Sequence, residues 1–368
     1  MELLKEQYIR RLTKLQRAAR SQNLNGVILV PGPNLRYYTG VNSILMERPF
    51  LLLVPNDNLP HLIAPTIESG PYRSGPLKIE VHSWTDNEGP THALQDAVTS
   101  LKFSGKWGME GRAPFRFIKL LTNYTKAEFD EADSCLQALR QVKDDEEIRW
   151  LKRSASILSK SFLSIPSLIK PGMSESELGS RLAQTIRANG ADGLDDILVQ
   201  SGESSADPHH IASSRRIRRR EPIVIDTGCT YSGYYADITR TIMIGNDHKF
   251  EDMYEKVLEA QTAAIRESKA GITTGAIDYA ARQTLRKYDL DIYFIHRTGH
   301  GLGLEVHEAP YLVENGMQIL QPHMAFTVEP GIYIPLRMGI RIEDNILTTE
   351  GGQSVMTRSL PKDYGWWN

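Results

Sequence analysis

Apolar residues recur at helical spacing from the start of the chain. Leu3, Leu4, Tyr8, Leu12 and Leu15 share one face and predict an amphipathic opening helix, ended by Asn25-Gly26. Val27–Val30 is short, branched and unbroken, the pattern of a buried strand. Pro31-Gly32-Pro33-Asn34 predicts a turn, and Tyr37–Tyr38 and Phe50–Val54 predict further strands, the latter stopped by Pro55-Asn56-Asp57-Asn58. Residues 69–76 and 86–90, rich in Gly, Pro and Asp, read as loops, and no cluster of His, Asp or Glu precedes residue 140. The character changes at Val142-Lys143-Asp144-Asp145-Glu146-Glu147, whose acids suit the positive end of a helix dipole. Ile148, Leu151, Ile157, Leu158, Phe162 and Ile165 carry that helix on toward Pro171-Gly172. A boundary between residues 135 and 143 follows, giving domains of 1–138 and 139–368, with a long helix bridging one domain as the alternative.

The second region repeats itself. Lys170-Pro171-Gly172-Met173-Ser174-Glu175-Ser176-Glu177-Leu178 resembles Lys269-Ala270-Gly271-Ile272-Thr273-Thr274-Gly275-Ala276-Ile277 at an offset of 99 residues, and Thr185-Ile186-Arg187 resembles Thr284-Leu285-Arg286 at the same offset. Each copy follows a long amphipathic helix and starts another, over Leu178–Ala188 and Ile277–Lys287, and Ser174 with Glu177 has capping-box form. A duplicated helix–helix–sheet unit within residues 143–350 accounts for both.

Composition narrows the class. The chain has 368 residues, 40% hydrophobic and 24% charged, which excludes disorder and leaves room for two domains. Its 43 basic and 45 acidic side chains leave a net charge of −2, with no electrostatic footprint for nucleic acid or an anionic membrane. No apolar run approaches the ~20 residues of a membrane span, and the charged N-terminus lacks the apolar core of a signal peptide, so a cytoplasmic protein is expected. Cys135 and Cys229 are the only cysteines, too few for a disulfide framework or a thiolate metal site.

Candidate chemistry lies in the repeated region. Ile223–Gly228 reads as a strand carrying Asp226, and Tyr234–Ile244 as its hairpin partner carrying Asp237. In the second copy, His296-Arg297-Thr298-Gly299-His300-Gly301 leads to His307, Ala325–Gly331 ends a strand on Glu329, and Gly339–Asp344 sets Glu343 within a strand. His209 and His307 are 98 residues apart, close to the repeat offset. A carboxylate inside a buried strand needs a partner, and a metal ion is the economical one. Four carboxylates and a histidine without cysteine form a hard, oxygen-rich set suited to a pair of Mn²⁺, Co²⁺ or Zn²⁺ ions, and so to metal-assisted hydrolysis. The glycines beside His300 let the backbone approach a metal or substrate. Arg341, two residues before Glu343, faces the same side and orients a carboxylate. Arg240 reads as structural and His210 as a bystander. The run Arg215-Arg216-Ile217-Arg218-Arg219-Arg220 reads as a solvated loop or dimer contact, and Gly365-Trp366-Trp367 as packing on the core or at a subunit contact.

These motifs resemble the pita-bread metallopeptidases, specifically the prolidase and aminopeptidase P branch. The resemblance rests on Ile225-Asp226-Thr227-Gly228, Ala236-Asp237-Ile238-Thr239-Arg240-Thr241, Gly299-His300-Gly301, Thr327-Val328-Glu329-Pro330-Gly331 and Ile340-Arg341-Ile342-Glu343-Asp344, in order across most of 143–350. The residues before about 135 are more loosely similar to a creatinase-type N-terminal domain. The implied fold is α/β (α+β), a small α/β domain followed by a pseudo-symmetric catalytic domain with helices covering a curved antiparallel sheet. The resemblance implies two divalent ions per subunit, Mn²⁺ first and Co²⁺ or Zn²⁺ as alternatives, on Asp226, Asp237, His300, Glu329 and Glu343. Asp237 and Glu343 would bridge both ions, Asp226 would chelate one, and His300 and Glu329 would bind the other. Glu329 would shuttle a proton, and His209 and His307 would line the substrate and stabilise the tetrahedral intermediate, with His296 and Arg341 beside them. The implied activity is hydrolysis of Xaa-Pro bonds in di- or oligopeptides by a homodimer, through a metal-bridging hydroxide. A Xaa-Pro dipeptidase is favoured over aminopeptidase P because the N-terminal domain is small. Methionine aminopeptidase, creatinase and a non-catalytic peptide-binding module are the further alternatives.

Overall fold

The computed structural model describes residues 2–367, excluding the side chains of residues 2–4. Its contacts divide the chain into Met1–Arg140 and Gln141–Asn368. In the first unit, helix α1 (Glu2–Ser21) buries Leu12 and Leu15, while the predicted Leu3 and Leu4 side chains lie outside the described residues. A six-stranded sheet follows from β1 (Gly26–Leu29), β2 (Leu51–Pro55), β3 (His61–Pro65), β4 (Glu80–Trp84), β5 (Lys106–Met109) and β6 (Glu128–Glu131), in the order β4-β3-β2-β1-β5-β6. β1, β2 and β3 are buried throughout, as the apolar runs of β1 and β2 require, and β3 carries His61 into the same buried layer.

Two local expectations fail here. Tyr37–Tyr38 lies in helix α2 (Pro33–Thr39), not in a strand: Pro33 occupies the first turn, where its missing N–H costs nothing, and Gly40 closes the helix at φ 74°. Residues 69–73 belong to α3 (Thr66–Arg73), a two-turn helix that contains Pro71. Helices α4 (Thr91–Ser100), α5 (Phe115–Tyr124) and α6 (Asp133–Gln141) complete the unit.

The second unit opens on α7 (Asp145–Phe162), capped by a reciprocal box of Asp144 and Glu147. The helix stops at Phe162 rather than at Pro171, and the single turn α8 (Ile165–Leu168) follows. Then come α9 (Glu175–Ala188), β7 (Gly193–Leu194), β8 (Leu198–Ser201), β9 (Pro222–Tyr231) and β10 (Tyr234–Met243). The second copy has α10 (His248–Glu267), α11 (Thr274–Arg286), β11 (Gly299–Gly301), β12 (Glu308–Leu312), β13 (Ala325–Val328), β14 (Gly331–Ile334), β15 (Met338–Arg341), β16 (Asp344–Thr349) and β17 (Gly352–Val355). One sheet runs β10-β9-β7 with β8 also on β9, another runs β12-β11-β13-β16-β17, and β14-β15 forms a ribbon; every pairing in this unit is antiparallel.

The duplication is visible in the hydrogen bonds. Gly172 N–H donates to Ile217 O at 2.8 Å, and Gly271 N–H to Leu320 O at 2.8 Å. Ser174 bridges to Arg216 as Thr273 bridges to Ile319, and each hydroxyl caps the helix that follows, α9 or α11. α7 packs on β9 and β10, and α10 on α11 and β13. Trp367 settles inward, its indole N–H donating to Met243 O at 2.8 Å among Tyr254, Tyr364 and Trp366, so the C-terminal aromatics are core.

Candidate active site

The β9–β10 hairpin sets the first two acids. Ser232 (φ 52°) and Gly233 (φ 75°) form a two-residue loop whose left-handed backbone matches the strand twist. The register places Asp226 opposite Thr239 and Asp237 opposite Gly228, so by alternation all four share one face. Gly228 is needed there, because a Cβ would stand 2.9 Å from Asp195 Oδ2 and 3.1 Å from Ala236 O.

The second copy supplies the other three. His300 is the middle residue of β11, fixed by its N–H to Thr327 Oγ1 (3.1 Å). A Cβ at Gly299 would meet Thr327 O at 2.0 Å, and one at Gly301 would meet Ala309 O at 2.3 Å. The flanking glycines therefore admit neighbouring strand backbones, not a metal or substrate as the sequence suggested. Glu329 follows β13, its N–H donating to Thr298 O at 2.8 Å. Glu343 lies in the two-residue break between β15 and β16, not within a strand, and its N–H donates to Thr239 O at 3.1 Å. Arg240 secures that break from inside: it is fully buried and donates to Glu343 O (2.5 Å), Thr239 O (3.0 Å) and Asp344 Oδ1 (2.8 Å), the structural role expected.

Asp226, Asp237, His300, Glu329, Glu343, Arg341, His209, His296 and His307 all line one cavity of about 790 Å³. His300 Nε2 stands 3.2 Å from Glu329 Oε1 and 3.9 Å from Asp237 Oδ2. Burial alone would raise the Glu329 carboxyl, but the His300 hydrogen bond and charge hold it at about 2. The same contact overcomes burial to raise His300. Arg341 bonds Asp226 Oδ2, Thr239 Oγ1 (3.1 Å) and Tyr333 OH (2.5 Å). It thus orients Asp226, and reaches Glu343 only through Thr239, whose hydroxyl donates to Glu343 Oε2 at 2.6 Å.

A divalent cation fits what remains. Glu343 Oε1 is buried without a hydrogen-bond partner, and single donor atoms of Asp237, His300 and Glu343 all lie within 4.8 Å of one another. Burial raises both the Asp237 and Glu343 carboxyls well above the usual range; the Asp226 charge adds to the first and the Asp237 charge to the second. Arg341 balances Asp226 and His300 balances Glu329, so the set keeps more negative charge than a protein interior tolerates alone. Oxygen and imidazole donors with no thiolate suit Mn²⁺, Co²⁺ or Zn²⁺.

The other predicted residues stand around this centre. The His307 ring meets His300 edge-on at 4.1 Å, and desolvation there, with the His300 charge, pushes its pKa down to about 4. His209 is exposed at the cavity wall, its N–H held by Asp207 Oδ1 at 3.0 Å. His296 Nε2 contacts Tyr333 OH at 2.9 Å, and burial lowers its pKa. His210 turns to buried Glu175 at 3.1 Å. The basic run divides: Arg215 pairs with Glu221 at 2.7 Å, Arg216 with Glu177 at 3.1 Å, and Arg218, Arg219 and Arg220 face solvent.

Sequence reasoning missed three residues. Tyr333 joins His296 to Arg341; its place opposite Gly339 in the β14–β15 ribbon was the available signal. Asp195 lines the cavity beside Tyr235 and Asp226, raised by burial, with no motif to mark it. Arg297 also lines the cavity, over the Tyr311 ring at 4.7 Å and with no acidic partner among the described residues; its position beside His296 was the hint.

Residues 149–350 match metallopeptidase family M24, and residues 11–142 match the creatinase/prolidase N-terminal domain. The chain is 34% identical over 363 residues to a probable dipeptidase PepE of Mycobacterium tuberculosis, covering 97% of this chain and 96% of that one. Among solved structures, dipeptidase PepE from Mycobacterium ulcerans superposes with a TM-score of 0.91 at 32% identity, covering 98% of both chains. A recombinant prolidase from Thermococcus sibiricus does so with a TM-score of 0.91 at 33% identity, covering 97% of this chain and 98% of that one. These likenesses bear out the expected fold, an α/β N-terminal domain followed by a pita-bread catalytic domain. No helix among the described residues is long and apolar enough to cross a membrane.

Proposed function

This chain belongs to metallopeptidase family M24, and from that premise we propose that it is a Xaa-Pro dipeptidase, a hydrolase that splits free dipeptides ending in proline. In this reading Asp226, Asp237, His300, Glu329 and Glu343 hold two divalent ions, Mn²⁺ first among the candidates, and the enzyme works in the cytoplasm as a homodimer. The observation that carries the reading is the buried, unpartnered Glu343 Oε1 on an acid grouped with Asp237 and His300, an arrangement a cation would satisfy. The dipeptidase and prolidase relatives support the substrate class.

When bound, the ions supply Lewis-acid polarisation of the scissile carbonyl and lower the pKa of water. The rest falls to side chains. Glu329, whose carboxyl lies well below the usual range in this site, accepts a proton from the attacking water and passes it to the proline nitrogen as the C–N bond breaks. His307 is neutral at pH 7, so its ring N–H can donate to the developing oxyanion without a competing charge. His209 lines the same cavity as a second polar contact to the peptide. Arg297 offers its guanidinium to the carboxylate that a free dipeptide carries and a longer peptide places elsewhere.

One assay tests this. Metal-loaded protein is incubated with Ala-Pro, Ala-Pro-Ala and Met-Ala under equal conditions. Cleavage of Ala-Pro at least tenfold faster than of the others is the expected result. Faster release of alanine from the tripeptide would make the enzyme an aminopeptidase P, and preference for Met-Ala would overturn the proline specificity.

A further inference from the structure

The N-terminal unit contains a group of ligand-type side chains that the sequence conceals. β3 and β4 pair in parallel, with His61 opposite Glu80 and Ile63 opposite His82, so His61, Glu80 and His82 share one face of the sheet. His61 Nδ1 lies 3.0 Å from His82 Nε2 although the residues are 21 positions apart. Glu80 Oε1 is 3.6 Å from His82 Nε2, and Glu80 Oε2 is 3.6 Å from His61 Nε2. One donor atom from each residue falls within 4.8 Å of the other two. This corrects the expectation that no such cluster precedes residue 140.

We propose that His61, Glu80 and His82 form a second cation site, separate from the catalytic cavity, which takes one divalent ion of the zinc class. Two imidazole nitrogens facing each other repel through their lone pairs unless a proton or a cation lies between them. A four-coordinate ion with bonds of roughly 2.0–2.1 Å sets its donors about 3.3 Å apart, and the two contacts of His82 Nε2, 3.0 and 3.6 Å, bracket that spacing. The three donors lie within 4.8 Å of one another, and the near-parallel imidazole rings, 10° apart, would tilt to aim both nitrogens at the ion. Two nitrogens and one oxygen favour Zn²⁺, Co²⁺ or Ni²⁺ over Mg²⁺ or Ca²⁺. His61 is only 4% exposed on a buried strand, whereas Glu80 is at the surface, so the site has a rigid base and an open entrance for the ion and a water ligand. β4 is the outermost strand of the sheet, and the ion ties it to β3. The role is therefore to brace an exposed edge rather than to act on substrate.

The test uses full-length protein stripped with chelator, reloaded with Zn²⁺ alone, passed through a desalting column and analysed for bound metal. Wild type is expected to retain one zinc ion more per chain than His82→Gln, whose peptidase activity stays at the wild-type level. Glu80→Gln, a surface change that spares the packed strand, should weaken that ion at least about tenfold. The double variant Asp237→Asn/Glu343→Gln isolates the new site: it should keep a zinc ion that adding His82→Gln removes. In a parallel loading with Co²⁺ in place of Zn²⁺, the visible bands of a four-coordinate centre should be lost on the same substitution. Equal zinc counts with and without His82, in either background, overturn the proposal and leave the peptidase reading untouched.

Discussion

Glu343→Gln should stabilise the metal-stripped protein while disarming the enzyme. Glu343 Oε2 accepts from Thr239 at 2.6 Å, a bond that a glutamine oxygen can keep. Its other oxygen has no partner, and one Glu343 carboxylate oxygen lies within 4.8 Å of an Asp237 carboxylate oxygen. Were both acids ionised, two unit charges at that distance would repel by about 3 kcal/mol at an effective dielectric of 20, which is why the fold retains a proton there at low pH. The amide removes the repulsion and offers an N–H to Asp237 instead. For a unit of this size, that gain corresponds to at most roughly 6–12 °C in the melting temperature, approached only at a pH where both acids would ionise. The sign of the pH dependence follows. Burial and repulsion raise the Asp237 and Glu343 carboxyls in the folded protein, so the fold holds protons that the unfolded chain releases above about pH 4. Wild-type stability in chelator therefore declines as pH rises through that range and beyond, and the variant's declines less. Metal reverses the ranking, because an ion at a thousand times its Kd adds about 4 kcal/mol to whichever protein binds it. The measurements are urea unfolding by circular dichroism with EDTA and with saturating Mn²⁺, at pH 5, 6.5 and 8, alongside Ala-Pro hydrolysis. If Glu343→Gln is the less stable protein in EDTA at pH 8, Glu343 is already satisfied and the argument for a cation collapses.

Three further outcomes follow from the geometry. Glu329→Gln keeps the shape of the side chain but loses the proton acceptor and a charged donor to the ions, so kcat for Ala-Pro at saturating metal should fall about 10²–10⁴-fold with an unchanged far-UV spectrum; a loss under fivefold would remove Glu329 from proton transfer. Arg297→Met should raise KM for Ala-Pro at least about tenfold, the worth of a charged hydrogen bond, with kcat nearly constant and no change toward Ala-Pro amide; equal losses on both would show that Arg297 does not meet the carboxylate. In the N-terminal unit, Glu110 accepts from Val30 N–H (3.1 Å) and Asn34 Nδ2 (2.9 Å), and burial raises its carboxyl to about 7. Because the folded value is the higher one, that unit should lose about 3 kcal/mol of stability between roughly pH 4.5 and pH 7. Glu110→Gln should abolish the slope, and parallel pH profiles for the two proteins would refute the assignment.

Legibility in the sequence tracked how many independent signals met at one place. α7 carried an acidic first turn and a long apolar face, and α9 a capping box; both starts were readable, yet the end of α7 was not, because Phe162 and Ile165 continue the apolar pattern past the point where the chain turns away. Residues 33–39 show the opposite conflict: two tyrosines favour a strand, while Pro33 and Gly40 suit the two ends of a short helix, and the end signals prevailed. The site was more readable than the scaffold because its members break local rules. Asp226 and Asp237 interrupt apolar strands, where a carboxylate is costly, and the second copy sets Glu329 and Glu343 at the ends of buried apolar strands. Tyr333, Asp195 and Arg297 break no such rule. A tyrosine in a ribbon, an aspartate in a loop and an arginine beside a histidine are ordinary residues until chain pairing faces them toward a common cavity. His61, Glu80 and His82 make the same point more sharply, since each alone is unremarkable for an edge of a sheet and only the parallel register of β3 with β4 sets their donors together. Alternation along one strand can be read locally, but parallel register is decided by the crossover helix between the strands, here α3, and by packing beneath the sheet. A catalytic acid can therefore be inferred from the strand that carries it, whereas a site assembled across two strands requires the pairing itself.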